Sequence, residues 1–204
     1  MNIISNNCTA GFIYKNLLNT VFENPFIWCR IFNEDFLYLI ENYNKINFND
    51  FKLQRYTENL VNKTNPFYIK VENKIDIHYS HYYFEHSANK PLIVKKGAGA
   101  DFYYNKIWET VVNNYLKRLQ RMKGKPIFIF NDDKQYQPIT HRKWNDILPQ
   151  LITLSQTIDN KLIIITNNRT PVQTNNLLVI NSKNIYPPYN LENNEDKILK
   201  FMQD

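Results

Sequence analysis

The stretch that decides the fold lies in the second half of the chain. It reads Pro126-Ile127-Phe128-Ile129-Phe130 and is followed directly by the polar turn Asn131-Asp132-Asp133. An apolar run bounded by a proline and a polar turn predicts a strand buried on both faces, which is typical of a parallel sheet covered by helices. Two similar runs follow, at residues 161–166 and 177–180. Because helical patterns alternate with these runs, we predict an α/β fold with a mixed or parallel sheet and flanking helices.

Helices in the second half are predicted from the spacing of apolar residues. The longest pattern runs from Phe102 to Met122 and ends at Gly124, a residue type that often terminates helices. Further helices are predicted near residues 143–155 and 196–202.

The first half combines helices with a hairpin. Residues 3–5 are predicted to form a strand, residues 9 to about 21 a helix, and residues 33–43 a second helix with Asn33 as its cap. Two alternating runs, 67–71 and 75–79, predict a β-hairpin. With 204 residues, the chain suits one domain of two small α/β subdomains, about 1–90 and about 91–204.

Charge and cysteine content restrict the classes of partner. The net charge is +6, but no nucleic-acid-reading motif accompanies it, so we expect no nucleic-acid partner. Two cysteines are too few for a disulfide framework and lack metal-site spacing, so we expect no bound metal and a reducing compartment. Because no signal peptide or membrane-spanning run is recognisable, we expect a cytoplasmic protein with no membrane span.

Cys8 is the first candidate catalytic residue. It stands between the first strand and the first helix, after the polar residues Ser5, Asn6 and Asn7. Backbone N–H groups at a helix start favour thiolate over thiol and can donate to an oxyanion, which predicts a reactive cysteine. The alternative is a buried thiol that acts as a small apolar residue. We expect Asn6 and Asn7, beside the thiol, to bind substrate.

A cysteine nucleophile needs a base and a group that orients the base. His81, near the end of the second hairpin strand, is the favoured base, and His78 is the second choice. Asp132, Asp133 or Asn131 would orient the imidazole from the turn after the apolar strand. The alternatives are a histidine with a structural hydrogen bond and a turn that merely caps a helix.

A third group of candidates lies on the longest helix. Arg118 and Arg121 are three residues apart, so they project from one side and are predicted to clamp a phosphate or carboxylate, with Tyr115 on the same stripe. The alternative is a solvated basic face near the end of a helix. Asp132 and Asp133 also leave open a metal-dependent glycosyl or phospho-sugar transferase that uses a nucleotide donor.

Several of these motifs together resemble a bacterial family often labelled exopolysaccharide biosynthesis protein, over roughly residues 2–135. The family typically has a serine-asparagine-asparagine-cysteine opening, a histidine-tyrosine pair after a strand and a tryptophan-x-x-arginine-x-x-arginine helix. Tyr115 replaces the tryptophan here, and Thr9-Ala10-Gly11 stands where the family more often has tryptophan and glycines. The motifs that carry the resemblance are Ile3-Ile4-Ser5-Asn6-Asn7-Cys8, Asn24-Pro25-Phe26, Asp35-Phe36, Ile77-His78-Tyr79-Ser80-His81-Tyr82 and Tyr115-x-x-Arg118-x-x-Arg121.

The resemblance implies two α/β subdomains and a role in gene clusters for capsule or other surface polysaccharides, with no established reaction. A more distant likeness is to papain-like cysteine enzymes, which include acyltransferases that use a carrier-protein thioester. These also begin with strand, turn, cysteine and helix, and continue through an element similar to Pro25-Phe26-Ile27-Trp28. Carried onto this chain, the likeness implies Cys8 as nucleophile, His81 or His78 as base, and Asp132, Asp133 or Asn131 as the orienting group.

The leading hypothesis is therefore a cysteine-dependent transferase of capsule or exopolysaccharide biosynthesis that passes an acyl group to a sugar or an amine. We expect a carbohydrate or activated-sugar substrate and a possible carrier protein. No resident cofactor is expected, and the donor would be an acyl thioester or a nucleotide-linked compound. A non-catalytic polysaccharide-assembly protein is the other alternative.

Overall fold

The computed structural model describes residues 1–20, 24–27, 29–47, 51–55, 67–71, 75–79, 112–113, 115–132, 146–167, 169–182, 191 and 194–204. A five-stranded sheet forms the centre of the fold. Across the sheet, its strands are β1 (Asn2–Ser5), β6 (Pro126–Asn131), β7 (Lys161–Thr166), β9 (Leu177–Asn181) and β8 (Val172–Gln173). The first four are parallel, and β8 is antiparallel at one edge. The predicted α/β fold with a mixed sheet and flanking helices is thus confirmed.

Two layers of helices cover this sheet. The first layer contains α2 (Asn33–Asn42), α4 (Leu148–Leu154) and α3, which is described at residues 112–113 and 115–121. The second layer contains α1 (Thr9–Phe12) and α5 (Glu195–Gln203). Each of the four parallel strands buries alternate side chains in the two layers, which explains the continuous apolar runs in the sequence. The sheet residues in the first layer are Ile4, Phe128, Phe130, Leu162, Ile164, Leu177 and Val179, and those in the second are Ile3, Ile127, Ile129, Ile163, Ile165, Leu178 and Ile180.

A second, antiparallel sheet comes from the first half of the chain. Its order is β2 (Cys29–Ile31), β5 (Ile75–Tyr79), β4 (Phe67–Val71) and β3 (Phe51–Arg55). The predicted hairpin is confirmed as β4 and β5, which pair antiparallel from Tyr68 with His78 to Val71 with Ile75. The sequence patterns predicted neither β2 nor β3.

The free edge of β1 is closed by side chains. The hydroxyl of Tyr14 accepts a hydrogen bond from the N–H of Ile3 at 3.0 Å, and the amide of Asn24 donates to the carbonyl of Ile3 at 2.7 Å. Both side chains are completely buried. An edge strand normally exposes such N–H and carbonyl groups, which can then pair with another chain. Because Tyr14 and Asn24 already bond to the N–H and the carbonyl of Ile3, these two groups are not open to such pairing.

The first helix differs from its prediction. It is α-helical only at Thr9–Phe12 and continues as a π-helix over Ile13–Leu17, where the N–H of Leu18 donates to the carbonyl of Ile13. The helix therefore ends before the predicted limit at residue 21. The predicted cap of α2 is also wrong by one position, because Phe32 holds the cap and Asn33 is the first helical residue.

The helix α3 follows its prediction where it is described, whereas α4 begins later than predicted, because residues 146 and 147 are not helical. The helix α4 begins at Leu148, with Pro149 in its first turn, and α5 lies within one residue of its predicted limits. After α3, Gly124 has a φ of +75°, a conformation that glycine adopts without strain. The division into subdomains near residue 90 stays a prediction, since that region lies outside the described residues. No helix in the described part of the chain is long and apolar enough to cross a membrane.

Candidate functional site at the carboxyl end of the sheet

Polar residues collect where the four parallel strands end, which we call the carboxyl end of the sheet. Asn6 follows β1, and Ser182 follows β9. Asn131 is the last residue of β6, Asp132 follows it, and Thr166 is the last residue of β7. All five are at most 4 % exposed. Buried polar groups are costly unless they are hydrogen-bonded, so their concentration at one end of the sheet requires an organised network.

The helices that come next in the chain after β1 and β6 indicate where a ligand would bind at this end. The helix that follows β1 lies in the second layer, whereas the next described helix after β6, α4, lies in the first layer. Chain segments that leave two neighbouring parallel strands toward opposite faces open a crevice between the strand ends, and open α/β sheets bind ligands there. The junction of β1 and β6 is therefore the best candidate site in the described part of the chain.

Asn6 holds the two strand ends together at this junction. Its backbone N–H donates to the carbonyl of Ile129 at 3.2 Å, which continues the parallel ladder. The next ladder bond is made by its side chain, because the N–H of Asn131 donates to Oδ1 of Asn6 at 2.8 Å. Nδ2 of Asn6 also donates to the carbonyl of Asn131 at 3.0 Å. The backbone carbonyl of Asn6 is thereby released to accept the N–H of Ile31 at 2.8 Å.

Asn7 and Ser5 shape the turn that carries Cys8. Oδ1 of Asn7 accepts hydrogen bonds from both the N–H of Thr9 at 3.0 Å and the hydroxyl of Thr9 at 2.6 Å. The hydroxyl of Ser5 donates to the carbonyl of Asn7 and accepts from the N–H of Ala10 at 2.9 Å. Nδ2 of Asn131 donates to the Thr9 hydroxyl at 3.2 Å, so the turn is tied to β6 as well.

These bonds remove two backbone N–H groups from the oxyanion hole expected at the start of the first helix. The N–H groups of Thr9 and Ala10 already donate to Asn7 and Ser5 within the turn. They are therefore not aimed at a reacting carbonyl oxygen, which is the geometric requirement for oxyanion stabilisation. The side chains of Asn6 and Asn7, predicted to bind substrate, use three of their polar atoms, Oδ1 and Nδ2 of Asn6 and Oδ1 of Asn7, to build the turn.

Cys8 occupies the cap position of α1 and is 8 % exposed. Its carbonyl accepts the N–H of Phe12 at 3.3 Å, the first bond of the helix. The thiol is thus buried in a turn whose backbone is fixed by the surrounding hydrogen bonds.

A second thiol, Cys29, lies near Cys8. It is completely buried, and its Sγ donates to the carbonyl of Phe26 at 2.8 Å. Burial raises the pKa of Cys29 well above its usual value, and the negative charge of a Cys8 thiolate raises this pKa further. The two cysteines are not joined by a disulfide. Cys29 therefore stays protonated when Cys8 is ionised.

Asp132 is held at the same end of the sheet by β7. Its Oδ2 accepts the hydroxyl proton of Thr166 at 3.0 Å, and its N–H donates to the carbonyl of Ile165 at 2.9 Å. Asp132 is thus tied to β7, while the preceding residue, Asn131, contacts Asn6 and Thr9 on the β1 side of β6. Among the described residues, no three His, Cys, Asp or Glu side chains come together as a metal-ligand group.

The predicted bases are only partly located. His81 and Asp133 lie outside the described residues. The backbone of His78 lies on β5 as the register partner of Arg30, one position from the pair of Cys29 with Tyr79. The strand that carries His78 is thus a direct neighbour of the strand that carries Cys29, and the choice between the two histidines stays open.

The predicted anion clamp lies elsewhere. The helix α3 ends at residue 121, five positions before β6 begins, so Arg121 lies toward the end of the sheet where the parallel strands start. A strand of six residues spans about 20 Å, which separates this amino end of the sheet from Cys8. Tyr115 is 2 % exposed and packs in the first layer, whereas Arg118 is half-buried and Arg121 exposed.

Five residues of the site were not among the predicted site residues: Ser5, Thr9, Cys29, Thr166 and Ser182. A small hydroxyl residue directly at the end of an apolar strand, as in Thr166, is a signal that the sequence does contain. The role of Cys29 has no local signal, because it depends on the contact of β2 with the turn after β1.

Comparison with known protein families finds a match over the first part of the chain. Residues 1–96 match the family model of a domain of unknown function (DUF1919). The matched segment contains the Cys8 turn and strands β1 to β5, and it ends before β6. A search of curated proteins finds no match to this chain.

Proposed function

We propose that the chain is a cysteine-dependent transferase of bacterial capsule or exopolysaccharide biosynthesis, in which Cys8 carries an acyl group to a sugar or an amine. The main support is the position of Cys8 in the turn after β1, which Asn131 ties to the end of β6, with the next described helices after these two strands on opposite faces of the sheet. The link to surface polysaccharides comes from the sequence resemblance alone.

The proposed reaction has two steps. In the first, the thiol proton of Cys8 passes to the imidazole of His81 or His78, and the thiolate attacks the carbonyl carbon of an acyl thioester. The donor carbon–sulfur bond breaks, and the donor leaves as a thiol after it takes the proton. In the second, a sugar hydroxyl or an amine attacks acyl-Cys8, its proton passes to the imidazole, and the Cys8 thiolate is released.

The other predicted site residues would act either next to the imidazole or far from the reacting acyl group. Asp132, or Asp133 or Asn131, would orient the imidazole. Arg118 and Arg121, toward the amino end of the sheet, would contact a distant anionic part of the donor or a carrier protein instead of the reacting acyl group. Because Thr9 and Ala10 use their amides within the turn, oxyanion donors must come from other groups.

A covalent adduct is the direct test. We expect incubation with acetyl-, succinyl- or octanoyl-coenzyme A to add one acyl group to the peptide that contains Cys8, as measured by mass spectrometry. Cys8→Ser should give no thioester adduct, whereas Cys29→Ser is the matched control and should still be acylated. If none of the three donors labels Cys8 in the folded wild-type protein, the acyl-transfer proposal is rejected.

A non-catalytic assembly protein is the second candidate. The occupied amides of Thr9 and Ala10 and the low exposure of Cys8 favour it, because a nucleophile needs oxyanion donors and access for its substrate. The alkylation rate with iodoacetamide distinguishes the two. If the protein is a transferase, iodoacetamide should alkylate Cys8 in the folded protein at a rate close to that in the urea-unfolded chain. If Cys8 is a core thiol, its alkylation in the folded protein should be many times slower.

A further inference from the structure

We propose that Cys8 and Cys29 form a reversible intramolecular disulfide when a peroxide oxidises Cys8. This inference is independent of the proposed transfer reaction, because it needs neither an acyl donor nor a histidine base. It assigns a role to Cys29, which the transfer reaction does not use.

The first support is the contact between the two chain segments. The N–H of Ile31 donates to the carbonyl of Asn6 at 2.8 Å, and each cysteine lies two residues from this bond. This bond holds the two backbone segments side by side, and a disulfide forms only between cysteines whose Cα atoms lie within about 7 Å of each other. The side chain of Asn6 makes this contact possible, because it replaces the Asn6 carbonyl in the β1–β6 ladder.

The second support is that the two thiols share one environment. Both are buried, and the charge of a Cys8 thiolate raises the pKa of Cys29, as expected for two thiols on adjoining segments in a region with little water. The hydrogen bond to Phe26 at 2.8 Å fixes the Cys29 sulfur in place.

Their different exposure sets the order of events. Cys8 is 8 % exposed and Cys29 is 0 % exposed, so a small oxidant reaches Cys8 first. The Cys8 thiolate attacks hydrogen peroxide, takes one oxygen to become a sulfenic acid, and one water forms after proton uptake. The Cys29 sulfur then attacks the Cys8 sulfur and loses its proton, the S–O bond breaks, and a second water leaves. A cellular dithiol would reverse the oxidation by exchange.

The test compares three full-length proteins after treatment with hydrogen peroxide and dimedone, which traps sulfenic acids. Wild type should lose both thiols together and yield a Cys8–Cys29 cross-linked peptide that dithiothreitol reverses. Cys29→Ser should instead accumulate a dimedone adduct on Cys8. Cys8→Ser should keep Cys29 unmodified, because the buried thiol is not reached directly. Circular dichroism should confirm that both variants remain folded.

Two results would overturn the pairing. One is a wild-type protein whose Cys8 reacts with dimedone, or is not oxidised at all, while Cys29 remains a thiol. The other is oxidation of Cys29 in Cys8→Ser at the wild-type rate. If a variant fails to fold, the cross-linked peptide of the wild-type protein decides alone whether the two cysteines pair. A failure of the acyl-transfer proposal does not change this result.

Discussion

The two ends of the central sheet hold their polar residues differently. The carboxyl end has a connected buried network, whereas the amino end combines separate buried bonds, such as the one from Asn160 to the carbonyl of Pro126 at 3.2 Å, with an exposed ion pair. At the carboxyl end, Asn6, Asn131, Asp132 and Thr166 are buried and bonded to one another or to the backbone. At the amino end, Lys125 before β6 pairs with Asp159 before β7 at 3.5 Å, and their side chains are 70 % and 80 % exposed. A polar group left unpaired in the buried network of the carboxyl end would cost free energy, whereas water solvates the exposed ion pair of the amino end.

This difference shows where the chain is constrained by more than folding. Apolar residues at the carboxyl end would avoid the cost of desolvating polar groups, so the buried network there points to a need for defined geometry around Cys8. The charged residues of the amino end need no such geometry. The predictions below test this contrast, beginning with the largest expected effect.

Removing the side chain of Asn6 should destabilise the carboxyl end of the sheet. Asn6→Ala leaves the N–H and the carbonyl of Asn131 without their side-chain partners, and we expect the free energy of unfolding to fall by about 3 kcal/mol. Chemical denaturation followed by circular dichroism measures this change. The matched control is Asn16→Ala, at an exposed position of the π-helix, which should change stability by less than about 0.5 kcal/mol. Equal effects of the two substitutions would contradict the role given to Asn6.

The bond between Thr166 and Asp132 should have the next largest effect. Thr166→Val keeps the shape of the side chain but removes the hydroxyl that donates to the buried carboxylate, which should cost about 2 kcal/mol. Thr166→Ser keeps the donor and serves as the control, with a smaller loss from the missing methyl group. Chemical denaturation of both variants provides the measurement, and a Thr166→Ser protein that is no more stable than Thr166→Val would refute the bond's contribution.

The sequence predicted the centre of the fold better than the site. Strands β6, β7 and β9 are apolar runs, and such runs are a local signal of burial on both faces. Strands β2, β3 and β8 have two to five residues without such a run, and their pairing is set by partners distant in the sequence. The position of Cys8 was predictable because a strand, a turn and a helix follow directly along the chain.

The role of Asn6 was not predictable in the same way. Its side chain bonds to a residue 125 positions further along the chain, so no local pattern distinguishes it from an asparagine that binds substrate. The same limit applies to Cys29, whose proximity to Cys8 follows from the contact of Ile31 with Asn6. Long-range backbone contacts therefore decide which polar residues build the site and which remain available to a ligand.

The amino end of β1 offers a smaller buried polar group for comparison. Nδ2 of Asn2 donates to the hydroxyl of Tyr43 at 3.2 Å. Burial raises the pKa of Tyr43 to about 12, and the bond from Asn2 lowers it in part. Because the folded pKa lies above the ordinary value of about 10, the folded state holds its proton more tightly. This stability is fully present below pH 10 and should be lost as the pH rises to about 12.

The variant Tyr43→Phe checks this dependence. At neutral pH it should lose about 1 kcal/mol, the usual net contribution of one hydrogen bond. Between pH 10 and 12 its stability should fall less steeply than that of the wild type, since the group that titrates is gone. Parallel slopes of the two proteins in this range, measured by denaturation at several pH values, would show that Tyr43 does not set the alkaline limit.

The exposed pair of Lys125 and Asp159 should have the smallest effect. Lys125→Ala should change the free energy of unfolding by less than about 0.5 kcal/mol, because water and salt screen exposed ion pairs. Asp159→Asn should behave alike, and the small difference from wild type should vanish in 1 M sodium chloride. A loss as large as that of Asn6→Ala, retained at high salt, would mean that the amino end is organised as tightly as the carboxyl end, and the contrast between the two ends would no longer mark the site.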